Sequence, residues 1–334
     1  MHIIVVTQRI DETDGNLGFF VQWVRKFAEH GSVTVIANEV GKYHLQKDVR
    51  VLSLGKEENA SRFTRFFRYQ RFLFSILREA DGVFFHMCPE FVLGAHLLPK
   101  LFKKKTALWY VHKEVSWRLW LSEKLVNKIF TASKESFRLK SKKAEIVGHG
   151  IDTDIFSHRT GNAHGLHLVT VGRISLVKDL QTIIGGFLEL KKMFGEATLS
   201  IIGDALTEGD CAYSDELIRL FSDRVRFQGS IEHKDLPKAY GMATVFVHAS
   251  RTGSMDKAVL EALASGLPVF TSSEAFAENI PGITKFAEGN PIDLSKKMLS
   301  AYTEGKIVYN EKAQEFVIKH HSLTNLINSI VAFY

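Results

Sequence analysis

Only two cysteines, Cys88 and Cys211, occur in 334 residues, which excludes a disulfide framework. Their separation matches no metal-ligand spacing, and a reducing cytosol fits such content. No stretch approaches the roughly 20 apolar residues that span a bilayer. The opening segment MHIIVVTQRIDETDG runs into acidic residues without a small-residue cleavage pattern, so no signal peptide is expected. No G-x-G-x-x-G follows the first apolar run, which disfavours an NAD-dependent dehydrogenase. Low-complexity segments and short repeats are absent, and no recognisable nucleic-acid-binding module accompanies the basic charge.

What is present is the composition of a globular enzyme, 45% hydrophobic and 24% charged, in a chain long enough for two domains. The net charge of +6 is uneven. Residues 1–156 hold 25 Lys and Arg against 17 Asp and Glu, and the remainder 18 against 20. The excess sits in SRFTRFFRYQRF (61–72), KLFKKK (100–105) and FRLKSKK (137–143). Arg or Lys interleaved with Phe and Leu suits an interfacial helix on an anionic membrane. It suits equally a solvated helix whose aromatic side packs into a core, the more usual outcome.

Short β-rich runs alternate with helical stretches. Runs 3–7, 33–37, 49–54, 82–86, 106–112 and 128–133 are near-continuously apolar, as parallel strands covered on both faces should be. FFVQWVRKFAEH (19–30) spaces Phe20, Trp23, Val24 and Phe27 as one helix face. After the turn-rich segment 148–165 the pattern restarts with strands at 167–172, 198–204, 224–229, 244–250 and 267–273. The expectation is an α/β protein of two doubly wound domains. The boundaries fall at 1–156, 157–316 and a C-terminal helix, 317–334, packing back toward the first domain.

Two segments carry chemistry. In HLVTVGRISLVKDLQTII (167–184) a strand ends at Gly172, Arg173 follows, and Lys178 stands just before a helix. Ligands of open α/β sheets bind at the carboxyl ends of strands, where two cations suit a diphosphate. By spacing alone, an ordinary loop with surface cations fits as well. In SRTGSMDKAVLEALASGLPVF (250–270) a strand exits into a Gly/Ser loop and a helix opens near Asp256 or Lys257. Amides at such a helix start suit phosphate. Glu261, one turn in, suits a ribose or is an i,i+4 partner of Lys257.

Together with the Gly15 to Gly18 loop, VHKE (111–114), TASKES (131–136), HGIDTDIF (149–156), SIIGD (200–204) and VRFQGSI (225–231), these segments resemble the family 4 glycosyltransferases of the GT-B fold, in order and spacing. The resemblance implies two Rossmann-like domains with parallel sheets facing a central cleft. The implied reaction moves a sugar from a UDP-, GDP- or ADP-sugar to an acceptor hydroxyl. It retains anomeric configuration and uses no metal and no cofactor. The expected setting is polysaccharide or glycolipid synthesis in the cytoplasm, with the basic, aromatic first domain pointing to a peripheral place at the inner face of the membrane. The acceptor would be lipid-linked or a polysaccharide.

Residue by residue, Arg173 and Lys178 match the diphosphate grip, and Glu261 matches the second acid of E-x7-E. Loop residues Gly253, Ser254, Met255, Asp256 and Lys257 match the contacts to phosphates and sugar. Gly172 ends the strand beside them, and Gly229 and Ile231 lie in the base-binding loop. His112 matches a histidine near the transferred sugar, and Gly15 and Gly18 match the loop that approaches the phosphates. The first acid of E-x7-E falls on Gly253, with Asp256 three residues on. Gly148-His149 stand where the family usually has Pro-Asn. A sugar-nucleotide epimerase, a phosphorylase or a non-catalytic sugar-nucleotide binder are the alternatives. Asp152 and Asp154 read as turn formers, His86 as a packed histidine, and His320 and His321 as surface residues.

Overall fold

The computed structural model describes residues 1–95, 97–156, 165–253 and 255–334. The chain divides into two compact units, Met1–Gly150 with His321–Tyr334, and Ile151–His320. In the first unit the chain runs β1 (His2–Ile10), α1 (Phe20–Ala28), β2 (Ser32–Val40), β3 (Val49–Ser53), α2 (Arg62–Ile76) and β4 (Gly82–His86). It continues with α3 (Pro89–Ala95), α4 (Leu97–Leu101), β5 (Lys105–Trp109), α5 (Trp117–Leu125), β6 (Lys128–Thr131) and β7 (Ala144–Ile146). The second unit holds α6 (Thr153–Phe156), β8 (His167–Val171), α7 (Leu180–Lys191), β9 (Thr198–Ile202), α8 (Glu208–Phe221) and β10 (Arg226–Phe227). Then come α9 (Leu236–Gly241), β11 (Val245–His248), α10 (Lys257–Ala264), β12 (Val269–Thr271), β13 (Ile283–Lys285), α11 (Pro291–Thr303) and α12 (Glu311–His321). A last helix, α13 (Leu323–Phe333), belongs to the first unit.

Among the described residues each unit has one sheet, and its strand pairs are parallel. The orders are β3-β2-β1-β4-β5-β6-β7 and β10-β9-β8-β11-β12-β13. The strand order reverses once in each sheet, between β1 and β4 and between β8 and β11. That is the doubly wound arrangement in which the loops after the two central strands flank a crevice. The strands are apolar because helices cover both faces: β4 is buried throughout, and Ile3 and Val5 face one layer while Ile4 and Val6 face the other. Phe20, Trp23, Val24 and Phe27 form the buried stripe of α1.

The first division lies between Gly150 and Ile151, ahead of the cut at 157 that turn content suggests; residues 157–164 lie outside the described ones. Gly150, at φ +69°, lies on Trp23 so closely that a Cβ would stand 2.7 Å from the indole. Ile151 and Phe156 join the core of the second unit. The chain returns at His321, later than the position 317 read from the sequence, because Ala313 and Val317 still pack in the second unit. Ser322 ends the apparent single helix by accepting a hydrogen bond from the Asn325 amide, and α13 then buries Leu323, Leu326, Ile327 and Ile330 in the first unit. His321 is buried rather than exposed, its ring 6.0 Å from that of His149, whereas His320 is exposed.

Candidate functional site

In the second unit the two chemistry-bearing segments meet at the reversal point of the sheet. β8 and β11 are neighbours, so the loops leaving their carboxyl ends lie side by side. The Arg251 amide donates to the Val177 carbonyl at 2.8 Å, sewing the loops together. Gly172 has φ +143°, and the Gly203 backbone lies so close that a Cβ there would stand 2.0 Å from the Gly172 carbonyl. Asp179, after the 3-10 turn at Leu176–Lys178, takes the left-handed conformation at φ 45°. Its carboxylate accepts from Thr182 Oγ1 at 2.8 Å and from Arg251 Nη2 at 2.7 Å.

Lys178 is held by Asp256, Nζ to Oδ2 at 2.7 Å. The same oxygen accepts from His248 Nε2 at 2.6 Å, and His248 Nδ1 lies 2.9 Å from Thr271 Oγ1. A relay therefore runs from β12 through the end of β11 to the start of α10 and on to the lysine. Burial pushes the Asp256 carboxyl up, but the His248 hydrogen bond and the Lys178 charge outweigh it and hold it far below the usual range. Burial pulls the His248 imidazole down against the opposing pull of Asp256. Arg173 is looser: its side chain is 43% exposed and its nearest acid, Asp210, is 3.8 Å away. A partly solvated cation on a loop beside a fixed one is a ready receptor for a diphosphate.

Glu261 is buried one turn into α10. Tyr240 Oη donates to its Oε2 at 3.0 Å, and His233 Nε2 lies 3.2 Å from Oε1. A carboxylate has about four acceptor positions, so two remain for a vicinal diol. Lys257 shares the helix start with it. Burial pulls the Lys257 ammonium down to about 7, with the Glu261 charge opposing. Gly253 is at φ +63°, and a Cβ there would stand 3.1 Å from Glu274 Oε1. Gly253, which has no carboxylate, thus has one beside it from the segment after β12. Ser254 lies outside the described residues; Met255 is half-buried against the unit's core. Gly229, at φ +68°, follows β10, and its carbonyl accepts from the Gly203 amide at 2.8 Å. Asp204 Oδ2 takes the next amide, Ser230, at 3.0 Å, and Ile231 packs partly into the core.

In the first unit the Gly15 to Gly18 loop follows β1. Asp14 Oδ1 accepts the amides of Asn16 and Leu17 at 2.9 and 2.7 Å, and its carboxylate pairs with Arg9. Gly18 is a close approach, since a Cβ would stand 2.6 Å from the Asp14 carbonyl; Gly15 is exposed at the tip. His112 is exposed just after β5, its Nδ1 accepting from the Glu114 amide at 3.1 Å. His86 is buried, stacked on Phe20 at 3.8 Å and 3.2 Å from Thr7 Oγ1. Burial pushes the Cys88 thiol up to about 12, leaving it inert.

Sequence reasoning missed His233, Tyr240, His248 and Glu274. The only local trace was a histidine closing a VFVH run, and that pattern is common to packed strands.

Residues 165–304 match the family model for glycosyl transferases group 1. Among curated proteins, the chain is 30% identical over 146 residues to sulfoquinovosyl transferase SQD2 of Arabidopsis thaliana, covering 40% of this chain and 26% of that one. It is 27% identical over 113 residues to alpha-monoglucosyldiacylglycerol synthase of Streptococcus pneumoniae, 34% of this chain and 25% of that one. The match thus spans about a quarter of the length of either relative. Among solved structures, Anabaena Alr3699/HepE in complex with UDP superposes over 100% of this chain and 99% of its own, with a TM-score of 0.76 at 14% identity. Sucrose-phosphate synthase from Thermosynechococcus elongatus gives 0.76 at 15%, over 100% and 98%. At such identities the likeness is one of fold. The two Rossmann-like units have the GT-B fold, and residues 165–304 carry the match to the glycosyl transferases group 1.

Proposed function

We propose that the protein is a family 4 glycosyltransferase that moves a sugar from a nucleoside diphosphate to an acceptor hydroxyl, with retention and without a metal. The observation that carries this reading is the junction of the β8 and β11 loops, where Lys178 and Asp256 meet 78 residues apart in sequence. Lys178 and Arg173 take the diphosphate, helped by amides of the 253–257 segment at the start of α10. Glu261, fixed by Tyr240 and His233, takes the ribose, and the 229–231 segment the base. The Alr3699/HepE structures in complex with UDP and UDP-glucose favour a uridine donor.

In the proposed chemistry the sugar–phosphate bond breaks ahead of attack, and charge gathers on the departing diphosphate. Fixed cations and helix-start amides stabilise that charge without reorganising, which is often the largest single contribution to catalysis. The departing phosphate oxygen takes the acceptor's proton, so no protein base is needed. His112 positions the sugar. Gly253 has no carboxylate for the sugar hydroxyls, and we assign that contact to Glu274, since Asp256 is committed to Lys178 and His248. The acceptor belongs to glycolipid or polysaccharide synthesis at the inner face of the membrane; one of the curated relatives is named for the glycolipid it forms, alpha-monoglucosyldiacylglycerol.

A thermal-shift panel of UDP, GDP, ADP and their sugars tests the reading, because a ligand that binds only the native state raises its melting temperature. One nucleotide should stand out in wild type and fade in Lys178→Ala. A flat panel would remove the donor site. A clear shift without turnover of any donor would instead favour a sugar-nucleotide-binding protein.

A further inference from the structure

One face of the first unit is built unlike a solvated surface. α2, α3 and α5 cover the same side of its sheet: Tyr69 Oη donates to the Phe91 carbonyl at 2.9 Å, and Ser122 Oγ to the Pro89 carbonyl at 3.1 Å. α2 buries Tyr69, Leu73 and Ile76 toward this core. Its other side presents Phe63, Phe67 and Phe74, spaced as one helical stripe and 79%, 68% and 53% exposed. Phe66 is exposed beside them. The aromatic side of 61–72 therefore does not fold inward, as the commoner outcome for such a sequence would have it. On α5, Trp117 and Trp120 are exposed too. Among the described residues, these six are the exposed phenylalanines and tryptophans.

The charge on this face is predominantly positive, although Arg68, Arg118 and Lys124 each have an acid within 4 Å, in Glu58, Glu90 and Glu123. Residues 62–125 contain twelve Lys and Arg against five Asp and Glu, an excess larger than the +6 of the whole chain. α2 carries four arginines and no acid. Cations cap both exposed indoles, Arg118 at 5.0 Å from Trp117 and Lys124 at 5.9 Å from Trp120. Between α4 and α5 lies an open cavity of about 630 Å³ whose lining includes Lys100, Lys103, Lys104, Lys105 and Lys124. Leu97 and Leu101 stand exposed along α4.

We propose that this α2–α4–α5 face docks on an anionic lipid bilayer, with the phenylalanine stripe and the two indoles entering the headgroup boundary and the lysine-lined cavity receiving lipid phosphate. Rings with a polar or cationic edge settle at that boundary, and arginines and lysines beside them meet anionic headgroups. A protein partner is the poorer fit, because protein interfaces are depleted in lysine. The docking stands on this face alone. Its consequence rests on the proposed glycosyl transfer: Trp117 follows His112 by five residues, a chain length of about 18 Å at most. A docked α5 would hold the β5 loop near the bilayer, so the acceptor hydroxyl belongs to a lipid.

The test is co-sedimentation of the full chain with vesicles of phosphatidylcholine alone or mixed with phosphatidylglycerol, at low and high salt. Wild type should be retained by anionic vesicles, with weaker retention at high salt and on neutral vesicles. Trp117 and Trp120 are two of the chain's four tryptophans, so indole emission should shift to the blue on binding. The double variant Phe63→Ser/Phe67→Ser should lose retention about tenfold or more at unchanged melting temperature. Leu220→Ser, removing an exposed leucine of α8, should change nothing. Failure of wild type to bind anionic vesicles, or equal retention of the double variant, would overturn the proposal. So would self-association in light scattering that the double variant abolishes without vesicle binding. Vesicle binding with transfer only to water-soluble acceptors would overturn the lipid-acceptor consequence while leaving the docking and the donor site intact.

Discussion

The two units share a strand order over six strands, yet the α2–α4–α5 face of the first and the β8–β11 junction of the second use charge in opposite ways. The second unit ties its ionisable groups to each other. Lys178 is fixed by Asp256, Asp256 by His248, Arg251 by Asp179, and Glu261 by Tyr240 and His233. The first unit lines one helical face with arginines and lysines among exposed rings. Charges held at hydrogen-bond distance in partial burial make a site of defined geometry, suited to one small anion. Charges on long side chains at an open surface make an adaptable one, suited to a sheet of anions. On the proposed reading, one fold used twice carries a precise receptor and a diffuse one.

The sharpest way to break this comparison is to remove the fixed cations. Lys178→Ala should cut turnover by about 10²–10³, with Arg173→Ala close behind, at little cost in melting temperature. Initial rates of donor consumption check this; normal rates would reduce the Lys178–Asp256 junction to a structural ion pair. Next comes Glu261→Gln, which weakens nucleoside diphosphate binding about tenfold and lowers stability by about 1–2 kcal/mol, because the buried Tyr240 hydroxyl loses a charged acceptor. Calorimetric titration and denaturant unfolding read the two effects separately. Smaller again, Glu274→Ala should raise the KM for the sugar donor about fivefold to tenfold while leaving affinity for the free nucleoside diphosphate unchanged. Equal affinity for both ligands in the variant and the wild type would leave the Gly253 loop without its neighbouring acid.

A separate effect, on stability rather than turnover, is on pH dependence. Burial holds Lys257 at about 7 in the folded protein, against about 10.4 in an unfolded chain. Between those values the unfolded state binds more protons, so this group makes stability rise with pH from about 7 to about 10. Lys257→Met should flatten that part of the profile, as read from melting temperatures across the range. Unchanged slopes would mean that the ammonium is solvated.

Much of this was legible in the sequence, for reasons that differ by element. Continuous apolar runs located the long central strands, and the glycine and turn-rich restart signalled a second Rossmann-like unit. β7 and β13, AEI and ITK, escaped because three half-exposed residues at a sheet edge carry no apolar run. The break between α12 and α13 was hidden by an amphipathic pattern that continues through Ser322. Lys178 and Glu261 stood out through their place in motifs, but their partners did not. His248, His233, Tyr240 and Glu274 are brought in by tertiary packing, which local spacing does not encode. The phenylalanine stripe was visible as residues and ambiguous as a surface, since a helix with two apolar sides does not announce which one faces solvent.

The proposed function stands on the grip of Lys178 and Arg173 on a nucleoside diphosphate sugar. Its most direct test measures nucleoside diphosphate release from UDP-, GDP- and ADP-sugars by wild type and by Lys178→Ala, at equal protein. Release should occur from one donor class and collapse by two orders of magnitude or more in the variant. Release that the variant matches, or none from any donor in wild type, would contradict that grip.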